Sequence, residues 1–181
     1  METEVIKFGA SILRQTCTPV SQVDDDIRSL ISGLFASMRK AEGVGLAAPQ
    51  IGVLKRVIVV DVSGQEPDRP PMALINPEIV AADGVQNGEE GCLSFPDLYG
   101  EVRRAARVEV QALDADGRPV RISADGFLAR ALQHEIDHLD GKLFIDHVSP
   151  LKRQLMRGSL RRLKKMGQAW DREQQAEAVL R

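Results

Sequence analysis

The pentapeptide His134-Glu135-Ile136-Asp137-His138 constrains this chain more than any other segment. Two imidazoles four residues apart lie on one helical face about one turn apart, so both can reach a single ion while Glu135 projects beside them as a base. His is scarce, with three in 181 residues, and two of the three stand in this motif. The flanking residues specify the helix that the motif needs. Ser123-Ala124-Asp125-Gly126 offers capping candidates, and Phe127, Leu128, Ala131, Leu132, Ile136 and Leu139 then recur at helical spacing until Gly141 supplies a stop. The spacing predicts a helix of about four turns. Its apolar stripe packs into the body of the protein and holds both His at fixed rotamers, as a metal site requires.

A catalytic site of this kind takes three protein ligands and leaves a position for water. The motif supplies two, and the residues alone leave the third open. Asp146 or His147, just after the helix, would complete a set like that of a peptidase. Cys92, in Glu90-Gly91-Cys92-Leu93-Ser94, would instead bring a thiolate from a segment whose glycine permits close backbone approach. A further segment, Gly43-Val44-Gly45-Leu46-Ala47-Ala48-Pro49-Gln50, follows the first helix. Its small residues suit a tight backbone passage beside a site, and Gln50 places an uncharged donor where a buried oxyanion can be met.

The segments GVGLAAPQ, EGCLS and HEIDHLDG stand in the order, and at roughly the spacing, of the three motifs of peptide deformylase. The chain resembles that family from the Leu13-Arg14 region through Ser149-Pro150-Leu151-Lys152, and it looks like the bacterial type with a C-terminal helix. The resemblance implies that Cys92, His134 and His138 are metal ligands and Glu135 the general base. Gln50 and the backbone N–H of Leu93 would face the developing oxyanion, and Gly45 would help hold the substrate backbone. Val44, Gly91, Leu93, Phe127 and Ala131 are the implied lining of a methionine pocket. The implied reaction removes the formyl group from the N-terminal formyl-methionine of newly made proteins, and the implied physiological metal is Fe2+, with Zn2+, Ni2+ or Co2+ able to take its place. Tyr99 stands where many bacterial members have an Arg that contacts the substrate. Arg130 replaces an apolar residue of some relatives and reads as a rim residue paired with an acid. The alternative is a metallopeptidase of the HExxH type, with a Glu or His as third ligand.

Composition bounds the rest. The length is near that of one domain, with no internal repeat. The acidic start Met1-Glu2-Thr3-Glu4 has no apolar run behind it and nothing approaches a transmembrane length, so a cytoplasmic location is expected, with no membrane or DNA partner. Two cysteines suit a reducing compartment, and Cys17 reads as core. Ile27, Leu30, Ile31, Leu34, Phe35 and Met38 predict an amphipathic helix within residues 23–42, with Asp24, Asp25 and Asp26 at its positive end. Strand-like runs follow at residues 56–62, 72–80, 106–113 and 119–123, the last two joined by a turn at Asp116-Gly117, and residues 63–71 read as a surface loop. The expected class is α+β, with small antiparallel or mixed sheets around the central HExxH helix and a helix near each end.

Residues 1–150 read as a single catalytic domain and 151–181 as its basic helical extension. Ser149 and Pro150 start that extension, Leu151, Leu155, Leu160 and Leu163 offer an apolar stripe, and Gly167 reads as the end of the ordered helix, with the Gln174-Gln175 region frayed. The extension holds nine Lys or Arg against three Asp or Glu, about +6, leaving about −8 for the remainder. A basic helix can dock on an acidic body or bind phosphate backbones; for the resembled family the second option implies ribosomal RNA as a partner.

Overall fold

The computed structural model describes residues 3–179, so the first two residues of the acidic start and the last two of the basic extension lie outside the described residues. Helix α1 covers Asp25–Lys40, and the Asp24 carboxylate caps it by accepting from the Ile27 N–H at 3.0 Å. Seven strands follow: β1 Gly45–Ala47, β2 Val57–Val60, β3 Met72–Asp83, β4 Gln86–Cys92, β5 Phe95–Arg104, β6 Arg107–Leu113 and β7 Pro119–Asp125. Helix α2 runs Gly126–Leu139, and a short α3, Pro150–Leu155, precedes a long α4, Arg157–Val179. Strands β1-β2-β3-β6-β7, in that order, form one antiparallel sheet, and β4-β5 form a separate hairpin. The fold is α+β, as the sequence reads.

Strand β2 explains why the sheet carries a helix on each face. Its four residues, Val57-Ile58-Val59-Val60, are all buried, and a strand's side chains alternate between faces. Ile58 and Val60 pack with Leu128, Leu132 and Leu139 of α2, while Val57 and Val59 pack with Ile27, Ile31, Leu34 and Met38 of α1. A third cluster joins Ile6 and Leu13 near the N-terminus, Phe95 and Val102 of β5, Phe144 and Leu163. Cys17 lies buried in the α2 cluster, as expected, where burial pushes its thiol up to about 11.

Gly141 ends α2 for two reasons. Its φ of +68° is costly for a residue with a side chain, and a Cβ there would also press on the Arg14 backbone.

The hairpin β4-β5 is absent from the sequence-based strands, and the C-terminal extension departs from its reading in two ways. The helix breaks at Met156, which leaves Leu151 and Leu155 exposed, so only Leu160 and Leu163 of the expected stripe pack inward. Gly167 does not stop α4, which continues to Val179. That glycine lies where α4 crosses residues 7–10; a Cβ would collide with Ala10 N, Gly9 C and the Lys7 carbonyl. One turn on, Asp171 accepts from the Ser11 N–H at 2.9 Å, and Trp170 joins the third cluster.

Gly167→Ala should therefore destabilise the protein by about 1–3 kcal/mol through overpacking, despite alanine's better helix propensity. Gly158→Ala, in the same helix with nothing within 4 Å of its Cβ, should raise stability by up to about 1 kcal/mol. Urea unfolding midpoints measure both, and equal midpoints for the two variants would contradict this account of the docking.

Candidate metal centre and active site

Helix α2 is buried on nearly every side, and its two halves serve different ends. Leu128, Leu132 and Leu139 face the sheet, whereas His134, Glu135 and His138 point toward strand β1 and the hairpin. The hairpin brings Cys92 to them. The donor atoms of Cys92, His134 and His138 all lie within 4.8 Å of one another, with Cys92 Sγ 3.4 Å from His138 Nε2. Among the described residues these three are the group that can hold a metal ion. Asp146 and His147 are engaged elsewhere: Asp146 accepts from Arg14 at 2.6 Å, and His147 Nε2 lies 2.8 Å from Asp137.

The environment of these donors suits a cation. His134 Nδ1 donates to Glu90 at 2.9 Å, which turns Nε2 toward the cluster. Burial opposes a charge on His134, yet hydrogen bonds with Cys92 and Glu90 raise its pKa well above the ordinary histidine value, so the pocket favours positive charge. Burial holds His138 well below that value, leaving a neutral imidazole with a lone pair to offer. Glu135 is buried, and its Oε2 has no hydrogen-bond partner. An unpaired buried acceptor costs about 1–3 kcal/mol, so this carboxyl is placed for something other than stability. Burial also raises Glu135 to about 7. Its Oε1 lies against Gly45, where a Cβ would collide with it.

Gln50 is oriented by its neighbours. Its Oε1 accepts from the Ala47 N–H at 2.9 Å, which turns Nε2 toward Ser94 Oγ at 3.1 Å and Cys92 Sγ at 3.6 Å. The amide therefore presents donors on the side of the thiol. Gln50 and Leu93 border one cleft of about 600 Å³, together with Val44, Gly45, Gly91, Cys92, Phe127, Ala131, His134 and Glu135. His138, 1% exposed, is not part of the lining but touches it, its Nε2 lying 3.4 Å from Cys92 Sγ. Tyr99 forms part of the wall, its ring lying over Gly91 with more than half of the residue exposed. Every site residue expected from sequence thus borders this cleft or touches its lining.

A buried ion network behind the cluster is not evident in the sequence. Glu90 accepts from Arg104 at 2.8 and 3.0 Å, from Arg130 at 2.8 Å and from His134, while Arg104 also reaches Asp137 at 2.5 Å. Burial would raise the Glu90 carboxyl, but its hydrogen bonds from His134 and Arg104 hold it well below the usual carboxylate range. Arg130 pairs with an acid as expected, but it is 6% exposed and not a rim residue. Glu90 and Asp137 each stand inside a segment singled out for another residue. Nothing in the local pattern around Arg104 marks it as their partner.

Two imidazoles and a carboxyl on one helix, closed by a third donor from a separate hairpin, define a hydrolase site of the HExxH class. The polypeptide deformylase family matches residues 2–154, and the chain belongs to that family. It is 50% identical over 164 residues to the peptide deformylase of Alkalilimnicola ehrlichii, covering 91% of this chain and 92% of that one. Among solved structures it is similar to a peptide deformylase from Legionella pneumophila, with a TM-score of 0.84 and 44% identity over 91% of this chain and 96% of the other. It is likewise similar to a peptide deformylase from Synechococcus elongatus in complex with actinonin, with a TM-score of 0.78 and 42% identity over 89% and 85% of the two chains. The family and the occupied state of His147 and Asp146 both disfavour the metallopeptidase alternative.

Truncating Arg104 should cost about 3–5 kcal/mol, because it breaks a buried ion network and leaves Glu90 with Arg130 as its only guanidinium partner. The exposed Arg107–Asp83 pair, truncated likewise, should leave the unfolding midpoint where it was. Chemical denaturation of Arg104→Ala and Arg107→Ala provides the comparison; an undiminished midpoint for the first would show that the network contributes little.

Proposed function

We propose that this chain removes the formyl group from N-formyl-methionyl peptides, releasing formate and a free amine. The observation that carries the reading is the convergence of Cys92, His134 and His138 beside a buried Glu135 whose Oε2 has no partner. Those three side chains would hold one divalent cation, which when bound supplies Lewis acidity toward the formyl carbonyl and toward water. Thiolate and imidazole suit Fe2+ as well as Zn2+, Ni2+ or Co2+. Fe2+ is our assignment for the cell, on the strength of the family.

The remaining work falls to the protein. Glu135 takes a proton from the attacking water and passes it to the nitrogen as the carbon–nitrogen bond breaks, which a carboxyl beside the scissile bond can do in both directions. The tetrahedral oxyanion is met by Gln50 Nε2 and the Leu93 N–H. Ala47 fixes the Gln50 amide beforehand, so little reorganisation accompanies reaction. Val44, Gly91, Leu93, Phe127 and Ala131 provide apolar wall for the methionine side chain, whose burial would contribute roughly 1.5–3 kcal/mol. Gly45 and Tyr99 would flank the peptide backbone beyond it.

Residues 1–150 act in this reading as the catalytic body, and the docked extension from 151 as part of the same domain. Leu163 and Gly167 of α4 are buried against that body, while Arg157, Arg161, Arg162, Lys164 and Lys165 are exposed. That charged surface would meet ribosomal RNA close to where new chains emerge, in the cytoplasm. Among the described residues no helix is long and apolar enough to cross a membrane.

Formate release from a formyl-Met peptide tests the reading. Wild type should be active, Glu135→Ala close to inactive at equal metal content, and Gln50→Ala slower by about 10²- to 10³-fold. An active Glu135→Ala protein would remove the assignment of the base. Neutralising the five exposed cations of α4 should weaken ribosome association, most visibly at low salt, while leaving peptide turnover intact. Unchanged association at low salt would exclude this surface.

A further inference from the structure

Arg130 stands one turn before His134 on α2, so its side chain shares a face with the first imidazole. Unlike most arginines it is 6% exposed, and its guanidinium is spread over the hairpin. Nη1 donates to Glu90 Oε1 at 2.8 Å, to the Val102 carbonyl at 3.0 Å and to the Gly88 carbonyl at 3.3 Å, and Nη2 to the Gln86 carbonyl at 3.4 Å. Gly88 makes room for this seat: a Cβ there would stand 3.1 Å from Nη2 and 3.2 Å from the guanidinium carbon. One helix side chain thus grips three backbone carbonyls and one carboxylate of the hairpin, spanning both of its strands.

Cys92 is the last residue of β4, two positions beyond Glu90. It pairs with Phe95 of β5 only across a register shift that follows Gly91, so the ladder holds it less regularly than the residues before it. Its position therefore depends on how the preceding strand is anchored to the helix that carries His134 and His138. Arg130 is one such anchor, beside the Arg104–Asp137 pair, and through Glu90 it also reaches His134 Nδ1. We infer that Arg130 is a positioning residue: by fastening β4 to α2 it sets where the Cys92 thiol stands relative to the two imidazoles, and hence how firmly a cation is retained. This rests on the reading of those three residues as metal ligands. An apolar side chain at 130 would fill the space but leave Glu90 short of one donor and three carbonyls without a partner from the helix.

Cobalt(II) is the probe, since a thiolate ligand gives it a near-ultraviolet charge-transfer band and its visible bands report coordination geometry. Wild type, Arg130→Met, Arg130→Lys and Gly167→Ala are loaded with one equivalent, their spectra recorded, and cobalt loss to excess chelator timed. Arg130→Met should show shifted or weakened bands and lose cobalt on the order of 10- to 100-fold faster than wild type, as is typical when a partner of a metal ligand is removed. Arg130→Lys should fall between, because one ammonium can meet Glu90 but cannot span the carbonyls as well. Gly167→Ala, weakened where α4 crosses residues 7–10 and outside the Arg130–Glu90–His134 network, should match wild type in both spectrum and rate.

Wild-type bands and loss rates in both Arg130 variants would overturn the inference. So would equally fast loss from Gly167→Ala, which would reduce the effect to general stability. Should Arg130→Met not fold, Arg130→Lys decides by the same criteria. A wild type that binds no cobalt removes the metal-centre reading itself and the inference with it.

Discussion

The site depends first on one buried carboxylate. Glu90 lies on the hairpin and receives Arg104 from the same hairpin, Arg130 from α2 and the Nδ1 of His134. Burying ions is expensive, and such a cluster is stable only when charges balance and hydrogen bonds are filled. Here two guanidinium groups meet the carboxylates of Glu90 and Asp137, so the network is neutral before any charge of the cleft is counted. An apolar core of equal volume would bury the hairpin against the helix without gripping its carbonyls. It would not fix which nitrogen of His134 faces the thiol, and that orientation is what the chemistry needs.

The second constraint is mechanical. Strand β2 is buried on both faces, so α1 and α2 are held across a common sheet, and the leucines of α2 leave that helix little freedom to rotate. Its polar face, with His134, Glu135 and His138, is aimed by the packing of the opposite side. The same helix thus bears the core and the site, which ties the precision of the second to the density of the first.

How far each part is legible in the sequence follows from the range of the interactions behind it. Helices α1 and α2 and the inner strands carry their own periodicity, so their residues reveal them. Strand β4 does not: Gln-Asn-Gly-Glu-Glu-Gly-Cys has no β-branched residue and two glycines, and it is extended because β5 and Arg130 hold it from outside. Arg130 reads as a surface residue because its acid is 40 positions away. Gly167 reads as a helix stop because local propensity cannot show that residues 7–10 cross there. The three donors are separately ambiguous, and Cys92 stands out from Asp146 and His147 only through the order of three motifs, a property of the whole chain.

Glu135 shows why such a site is built into a well-packed body and not on a loop. A buried carboxyl with an unfilled oxygen works against folding, and burial lifts its pKa to about 7, well above the usual carboxylate value. A cation among the neighbouring donors would pull that value back toward the carboxylate range. The burial that costs this carboxyl its ordinary pKa is therefore something a bound cation would offset. Binding and stability would then be linked, because a cation held only by the folded state favours folding. Gly45, in the strand that borders the cleft, leaves room for that carboxyl, because a Cβ there would collide with Oε1.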